Sequence, residues 1–316
     1  ALIERAQALA PASPLPWAAF AELSWRRDYL ISDPAWVERW REAVRRAELR
    51  GQDTPEVHRI AGLLDGREGR VRQAIARYQR ATELPSASAD AWRRLGEAYV
   101  RNNQPDAALA ALKRAVELEP GAYRTHQDLA HWYFVRGDYA RALVGLENAV
   151  RLAPDNPRPR ALLCDTLMNL GRFPDAEREL RAGLARREDV NALLSLGLVL
   201  MYQGRDAEAV TFLQRASALD AELPLPALHL GDALARSGHP AEAGTAFRKA
   251  FAILQASLAR DPQQGLTRTQ LGYVCARLGD RARAESEIEQ GLRLAPDLTD
   301  AMWFAALTRE GLGQRA

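Results

Sequence analysis

The fold is decided by residues 89–122, which read ADAWRRLGEAYVRNNQPDAALAALKRAVELEPGA. Two stretches of about fourteen residues within it carry apolar side chains at helical spacing. Between them lies Asn103-Gln104-Pro105-Asp106, a sequence typical of a tight turn. The pattern predicts two amphipathic helices joined as an antiparallel hairpin.

The same pattern recurs on both sides of this stretch. Small residues such as Gly96 and Ala108 return at each repeat together with large apolar residues such as Leu95 and Leu112. Because one hairpin cannot cover both of its faces, the recurrence predicts that neighbouring hairpins stack and share a core. The predicted units are 55–88, 89–122, 123–156, 157–189, 190–223, 224–264 and 265–298.

The sequence resembles the tetratricopeptide repeat family, whose pattern is W-x2-L-G-x2-Y, then A-x3-F, then P, with leucine here in place of the phenylalanine. The residues that carry this resemblance in the first quoted unit are Trp92, Leu95, Gly96, Tyr99, Ala108, Leu112, Ala115 and Pro120. The resemblance implies an all-α fold in which helix pairs stack into a right-handed α-α superhelix, a tetratricopeptide repeat solenoid. It also implies that the first helix of each pair lines the concave groove.

The N-terminal part departs from this pattern. Residues 1–54 are interpreted as degenerate repeat-like helices, in which Trp17, Trp25, Trp36 and Trp40 favour aromatic packing over ligand stacking. The opening residues resemble the end of a second helix, so we expect the chain to begin inside a repeat, as a fragment of a longer protein would.

The C-terminal part departs from it twice. The unit 224–264 carries extra residues between Phe251 and Gly265, and their apolar spacing predicts a second helix that is longer by about 10 Å. Residues 299–316 carry a first-helix pattern with Trp303 and Leu307, and this pattern predicts a capping helix.

Composition excludes several classes of function. The 43 basic and 41 acidic residues leave a formal net charge of +2, which gives no support for a nucleic-acid partner. No apolar run approaches the roughly eighteen residues that a membrane helix needs, so no membrane insertion is expected. Only Lys113 and Lys249 are lysine, an arginine bias that favours a bacterial source. The compartment and the oligomeric state are left open, with the bacterial cytoplasm slightly favoured over the periplasm.

The sequence contains no pattern that would build an active site. There is no glycine-rich phosphate loop, H-E-x-x-H, C-x2-C or G-x-S-x-G motif. His126 and His131 are five residues apart and do not share a helix face, which argues against a metal pair. Cys164 and Cys275 are interpreted as small buried apolar residues. We therefore expect no catalytic, cofactor or metal site, and no enzyme.

The remaining candidate is the groove that the family resemblance implies. It is expected to be basic at one end and apolar further along, although the arginines could instead be paired with Glu56, Asp90 and Glu97, and some apolar residues could turn into the core. His131 and Asp165 hold equivalent groove positions in neighbouring units, which favours a solvated hydrogen-bonded pair over a catalytic one. The candidate groove residues are Arg59, Arg93, Arg124, Gln127, His131, Phe134, Arg158, Asp165, Met168, Leu194, Leu198, Met201, Leu228 and Tyr273.

The sequence leaves two functions open, the first suggested by the groove and the second by arginine- and alanine-rich repeats that begin inside a hairpin. The first is a non-catalytic protein–protein interaction scaffold that binds a peptide or a helix of a partner protein. The alternative is the sensory or regulatory region of a larger bacterial signalling enzyme, a kinase or a cyclase, or part of an export machine.

Overall fold

The computed structural model describes residues 2–31, 33–51, 53–85 and 88–313. Helices and turns make up this part of the chain, and no strand occurs among the residues described. In the first half the helices are α1 (Leu2–Leu9), α2 (Leu15–Ile31), α3 (Pro34–Glu48), α4 (Pro55–Arg67), α5 (Val71–Glu83), α6 (Ala89–Arg101), α7 (Pro105–Leu118), α8 (Tyr123–Phe134) and α9 (Tyr139–Leu152). In the second half they are α10 (Pro157–Asn169), α11 (Phe173–Leu184), α12 (Val190–Tyr202), α13 (Asp206–Leu219), α14 (Pro224–Arg236), α15 (Pro240–Arg260), α16 (Gly265–Arg277), α17 (Arg281–Leu294) and α18 (Thr299–Gly311).

Each predicted repeat contains two helices. The helices from α4 to α17 are fourteen in number and alternate as first and second helices of successive hairpins, as the sequence predicts for residues 55–298. Several of these helices begin at a residue whose side chain caps the N-terminus. The Ser88 hydroxyl accepts a hydrogen bond from the Ala91 backbone N–H, and the Asp189 carboxylate accepts one from the Ala192 backbone N–H.

The chain divides into two compact units, Ala1–Pro159 and Arg160–Ala316. In the first, the α2–α3 hairpin encloses Trp40, which is fully buried against Ala43 and Val44. Trp17 and Trp25 pack against the same cluster, so these three tryptophans do take part in aromatic and aliphatic packing. In the second, the cluster built around Phe247, Leu271 and Phe304 links α14, α15, α16 and α18.

Close packing within a hairpin depends on a small residue in the first helix. A Cβ atom built on Gly96 would lie 2.6 Å from Cγ of Leu112, and one built on Gly231 would lie 2.5 Å from Cε1 of Phe247. Glycine therefore lets a large side chain of the second helix rest directly on the first helix.

The turn between the two helices of each hairpin adopts the left-handed backbone conformation at one residue. In the second repeat that residue is Asn103, with φ of 55°, and elsewhere glycine occupies the equivalent position. Glycine adopts positive φ without the steric cost of a Cβ atom. The glycines of these turns are Gly69, Gly137, Gly171, Gly204, Gly238 and Gly279.

The predicted long helix is confirmed. The helix α15 has 21 residues, whereas the second helix of the preceding hairpin, α13, has 14. Its additional turns remain packed, since Leu254 is buried and Phe251 and Leu258 lie against the same core cluster.

The helix α18 packs through one face. Its buried residues include Phe304 and Thr308, and Leu307 is partly buried against the core cluster. Trp303 is 45% exposed and touches Phe304 edge-on. Phe304, rather than the Trp303 expected from the sequence, therefore fills the core at this end.

Candidate functional site

A candidate site of the first compact unit is a cleft of about 550 Å³. Residues of the first helices α2, α4, α6 and α8 line it, together with the residues just before α6 and α8. Three of the predicted groove arginines, Arg59, Arg93 and Arg124, lie in this lining. The recurrence of the hairpin explains this juxtaposition, because each arginine comes from the N-terminal half of a successive first helix.

Arg93 is the most enclosed of the three, with 5% of its surface exposed. Its Nη1 donates hydrogen bonds to Oε1 of Glu97 and to Oδ2 of Asp128, each at 2.6 Å. Its Nη2 donates to Oδ1 of Asp90, also at 2.6 Å. Three carboxylates therefore surround one guanidinium group, and Asp128 belongs to the first helix of the next repeat.

Arg59 repeats this arrangement one hairpin earlier. Its Nη1 donates to Oδ2 of Asp90 at 3.2 Å, again reaching the first helix of the next repeat. Its Nη2 donates to Oε2 of Glu22 at 2.6 Å. Both arginines thus bind carboxylates of the protein itself.

The paired charges in this region balance. Arg94 contacts Glu97, with Nη1 donating to Oε2 at 3.0 Å, and its guanidinium group lies 4.9 Å from the ring centroid of Trp25. Arg26 donates to Glu22 at 2.7 Å. We call these eight residues the charge network: the cations Arg26, Arg59, Arg93 and Arg94 and the anions Glu22, Asp90, Glu97 and Asp128.

Burial and a neighbouring carboxylate perturb Asp128. Burial raises the pKa of Asp128 above its ordinary value, and the adjacent Glu97 carboxylate adds to the rise, while Arg93 opposes it. Burial alone would lower the pKa of Arg93, but the surrounding carboxylates raise it, so the guanidinium group stays charged. The network is therefore held together by Arg93.

The cleft also contains charges that the network does not use. Arg124 is exposed and its Nε donates a hydrogen bond to the Tyr123 hydroxyl at 3.1 Å; no carboxylate among the described residues forms an ion pair with it. Glu56 and Glu119 also line the cleft and are exposed, with no cation paired to either within the described part of the chain. These groups, with Tyr123, form the open part of the cleft.

The other predicted residues of the first unit lie elsewhere on its surface. Gln127 is half-buried, and His131 is exposed. Phe134 is half-buried and meets Tyr139 edge-on, with the ring centroids 5.4 Å apart. Arg158 is exposed and is not part of the lining of this cleft.

In the second compact unit the predicted apolar residues divide into a partly exposed group and an enclosed group. The first group contains Met168, Leu194 and Leu198. Met201 is only 8% exposed and belongs with the enclosed residues, while the predicted acidic residue Asp165 is exposed.

Leu228 and Tyr273 are the other two enclosed residues. Leu228 is fully buried in the core cluster, so its expected place on the groove surface is corrected. Tyr273 is 9% exposed, because its ring packs edge-on against Phe304 and its hydroxyl is engaged inside the protein. Neither residue offers a broad surface to a ligand.

The partner of Tyr273 is a buried carboxylate that sequence reasoning did not single out. The Tyr273 hydroxyl donates to Oδ1 of Asp232 at 2.7 Å, and Nε of Arg277 lies 3.3 Å from the same oxygen. Burial raises the pKa of Asp232 to about 6, and burial lowers the pKa of the adjacent His229 to about 4. Asp232 and Tyr273 are the ninth residues of α14 and α16, and this shared register was the available clue.

Nothing in the described residues resembles a metal centre. No three His, Cys, Asp or Glu side chains come together there in a way that could hold an ion. Cys164 and Cys275 are buried as predicted, and burial raises the pKa of each thiol. No helix in the described ranges is long and apolar enough to cross a membrane.

Comparison with protein families agrees with the hairpin geometry. Tetratricopeptide repeat models match residues 61–123, 95–157, 133–196, 192–226 and 267–298. The chain belongs to the tetratricopeptide repeat family. Members of this family are generally protein–protein interaction scaffolds. No curated protein matches the chain in sequence.

Solved tetratricopeptide repeat structures share the fold. A repeat protein from Parabacteroides merdae has a TM-score of 0.63 at 14% identity, and the match covers 82% of this chain and 99% of that one. A chain of the anaphase-promoting complex hetero-tetramer Cut9–Hcn1 has a TM-score of 0.57 at 16% identity, and the match covers 84% of this chain but only 51% of that chain. PilW, a type IV pilus biogenesis factor, has a TM-score of 0.52 at 18% identity, with 68% and 97% covered. The predicted all-α repeat fold is thus confirmed.

Proposed function

We propose that this tetratricopeptide repeat chain is a non-catalytic scaffold that binds a peptide or a helix of a partner protein along the face formed by its first helices. The observation that supports the proposal is the cleft of the first compact unit, to which four first helices contribute side chains. A volume of about 550 Å³ accommodates several side chains of a ligand.

The charge network defines what this cleft recognises. Because Arg59 and Arg93 are paired with Glu22, Asp90, Glu97 and Asp128, they hold the cleft in shape and offer little to a ligand. Arg124 is the predicted groove arginine in this cleft that remains open to a ligand carboxylate. A partner segment would place an acidic residue there.

The two unpaired carboxylates of the cleft should also contact the partner. Glu56 and Glu119 would pair with a basic residue of the partner, while Tyr123 offers an amphipathic ring for an apolar side chain. We therefore expect a partner segment of mixed charge, not a purely acidic one. In the second unit, Met168, Leu194 and Leu198 supply partly exposed apolar surface for the same class of ligand.

The first experiment identifies the partner and where it binds. A photoreactive amino acid replaces Tyr123 in the full chain and, as a control, Arg114, an exposed residue of the second helix α7 that pairs with Glu117. We expect crosslinking to a partner protein from position 123 and not from position 114. Equal crosslinking from both positions would contradict binding along the first helices.

The second experiment titrates that partner against variants. Arg124→Ser should weaken binding and reduce its dependence on salt, since an ion pair is lost, whereas Arg114→Ser should change neither. Leu198→Ser should weaken binding by about 1 to 3 kcal/mol if Leu198 is desolvated in the complex. Leu294→Ser, on the second helix α17, is its control because Leu294 likewise presents apolar surface to solvent, with 40% of it exposed.

A further inference from the structure

A second cleft lies at another edge of the first compact unit, where α6 ends, α7 begins and α8 ends. It has a volume of about 420 Å³. Val100, Pro105, Trp132 and Val135 give it apolar walls, and Arg136 is its single charged residue. None of these residues lines the cleft of the charge network.

The apolar walls are more exposed than the fold requires. Val100 is 46% exposed and Val135 is 59% exposed. The position of Val135 is the thirteenth of its repeat, and four other repeats carry arginine there. Because the fold accommodates arginine at this position in four repeats, an exposed valine is not needed to stabilise the hairpin. The four arginines are Arg67, Arg101, Arg236 and Arg277.

Trp132 is equally specific to this repeat. Its position, the tenth, is held by Leu64 and Ala98 in the two preceding repeats. The indole is half-buried and contacts Tyr133 edge-on, with the ring centroids 5.2 Å apart. Trp132 therefore adds an aromatic ring to the cleft lining at a position where no other repeat carries an aromatic residue.

The one charged side chain of this cleft forms no ion pair with the described residues. The Arg136 guanidinium group lies 4.6 Å from the Trp132 ring centroid and is exposed, and no carboxylate in the described part of the chain pairs with it. The nearby Asp138 carboxylate is held by Arg141, with Nε and Oδ2 2.6 Å apart. A guanidinium group stacked on an indole is fixed in orientation while its edge remains available for two parallel hydrogen bonds to a carboxylate.

We propose that this cleft binds a segment of a partner protein in which a large apolar side chain neighbours an Asp or Glu residue. The apolar side chain packs against Val100, Pro105 and Val135, and the carboxylate pairs with Arg136 beside the Trp132 ring. Charge complementarity selects this occupant, since an unpaired cation beside apolar walls favours a ligand that is both anionic and apolar. The site is separate from the cleft of the proposed function and does not depend on it.

The probe is a display library of random octapeptides, selected against the full chain. We expect the enriched peptides to combine an aliphatic or aromatic residue with an adjacent acidic residue. A synthetic peptide of the most enriched sequence should bind at least about tenfold more weakly to Val135→Arg and to Arg136→Gln. Both substitutions introduce residues that other repeats carry at the same positions, Arg101 and Gln203 among them, so the folded state should be retained and thermal melting checks it.

Arg124→Ser serves as the control in the other cleft and should leave binding of this peptide unchanged. The proposal is overturned if selection enriches no sequence class, or if it enriches basic peptides. It is equally overturned if the enriched peptide binds Val135→Arg and Arg136→Gln as well as the parent chain, or loses affinity only with Arg124→Ser.

Discussion

A Cβ atom placed on Gly197 would lie 2.5 Å from Cγ of Leu213, a residue with no exposed surface. Real Cβ atoms essentially never make so short a contact, so the first and second helices of this hairpin approach each other only because position 197 lacks a side chain. Leu213 cannot withdraw without opening a gap, since protein interiors are closely packed.

We therefore expect Gly197→Ala to lower the free energy of unfolding by about 1 to 3 kcal/mol, through overpacking. Gly244→Ala is the matched control: Gly244 is also helical, but its nearest neighbour is the flexible end of Arg248 at 3.4 Å. This second substitution should stabilise the protein by about 0.5 to 1 kcal/mol, because alanine has the higher helix propensity. Denaturant unfolding measures both, and a loss of the same size at both positions would refute the packing argument.

At the turn residue Asn103, introducing a glycine should stabilise the protein. It has φ of 55°, where the equivalent turns use glycine, so Asn103→Gly should stabilise the protein by a few tenths to about 1 kcal/mol. The adjacent Asn102 has φ of −93°, and Asn102→Gly should give no gain. Thermal unfolding of the two variants decides the matter, and equal effects would show that the left-handed backbone is not the cause.

Removing Arg93 tests the charge network. Arg93→Ser leaves Asp90, Glu97 and Asp128 close together without their shared cation, and should cost about 3 to 5 kcal/mol of stability at neutral pH. The unshielded carboxylates should have raised pKa values in the folded variant, so its stability should recover as the pH falls and they bind protons. Arg124→Ser should leave stability nearly unchanged. A variant of Arg93 that is equally destabilised at every pH between neutral and about 4 would contradict this account.

The pH dependence of the second unit should be governed in part by Asp232. Its folded pKa is raised from 3.8 to about 6, so the folded state binds a proton more readily than the unfolded state. Stability from this group is present at low pH and is lost as the pH rises from about 4 to about 6. We expect Asp232→Asn to gain about 2 to 3 kcal/mol relative to the parent chain between pH 4 and pH 7. Paired unfolding curves across that range measure the difference, and a difference that does not change with pH would exclude the buried carboxyl as its source.

The helices could be predicted because the repeat is a local pattern. Gly96 with Leu112 and Gly231 with Phe247 occupy fixed offsets, and each pair reports a contact that the hairpin must make. The cleft was harder to predict, because its chemistry depends on which helix a side chain reaches. Arg59 and Arg93 extend across to Asp90 and Asp128 of the following first helices. The spacing of residues in a repeat does not predict toward which neighbouring helix a long side chain extends.

The fifth position of the repeat shows the same limit. The family geometry places it on the groove, and Arg93 and Leu228 were predicted there. In the structure Arg93 is almost fully enclosed and Leu228 and Thr269 are fully buried, whereas Gln127 and Leu194 are half-buried and Ala161 is exposed. The same position therefore faces the core in some repeats and the surface in others. The surroundings of each repeat then decide the outcome: Arg93 pairs with carboxylates, Leu228 joins the core, and Leu194 stays partly exposed.

The helix α15 indicates how a repeat of this kind can change its length. Its 21 residues exceed the 14 of α13 by seven, and seven residues advance a helix by nearly two complete rotations, leaving an angular error of only about 20°. Phe251, Leu254 and Leu258 therefore keep the same azimuth as the residues before them, and they remain against the core. Insertions of one or two residues would rotate that stripe into solvent. A second helix can therefore lengthen by a near-integral number of turns and still keep its apolar face on the core. The unit 224–264 is longer than its neighbours in this way.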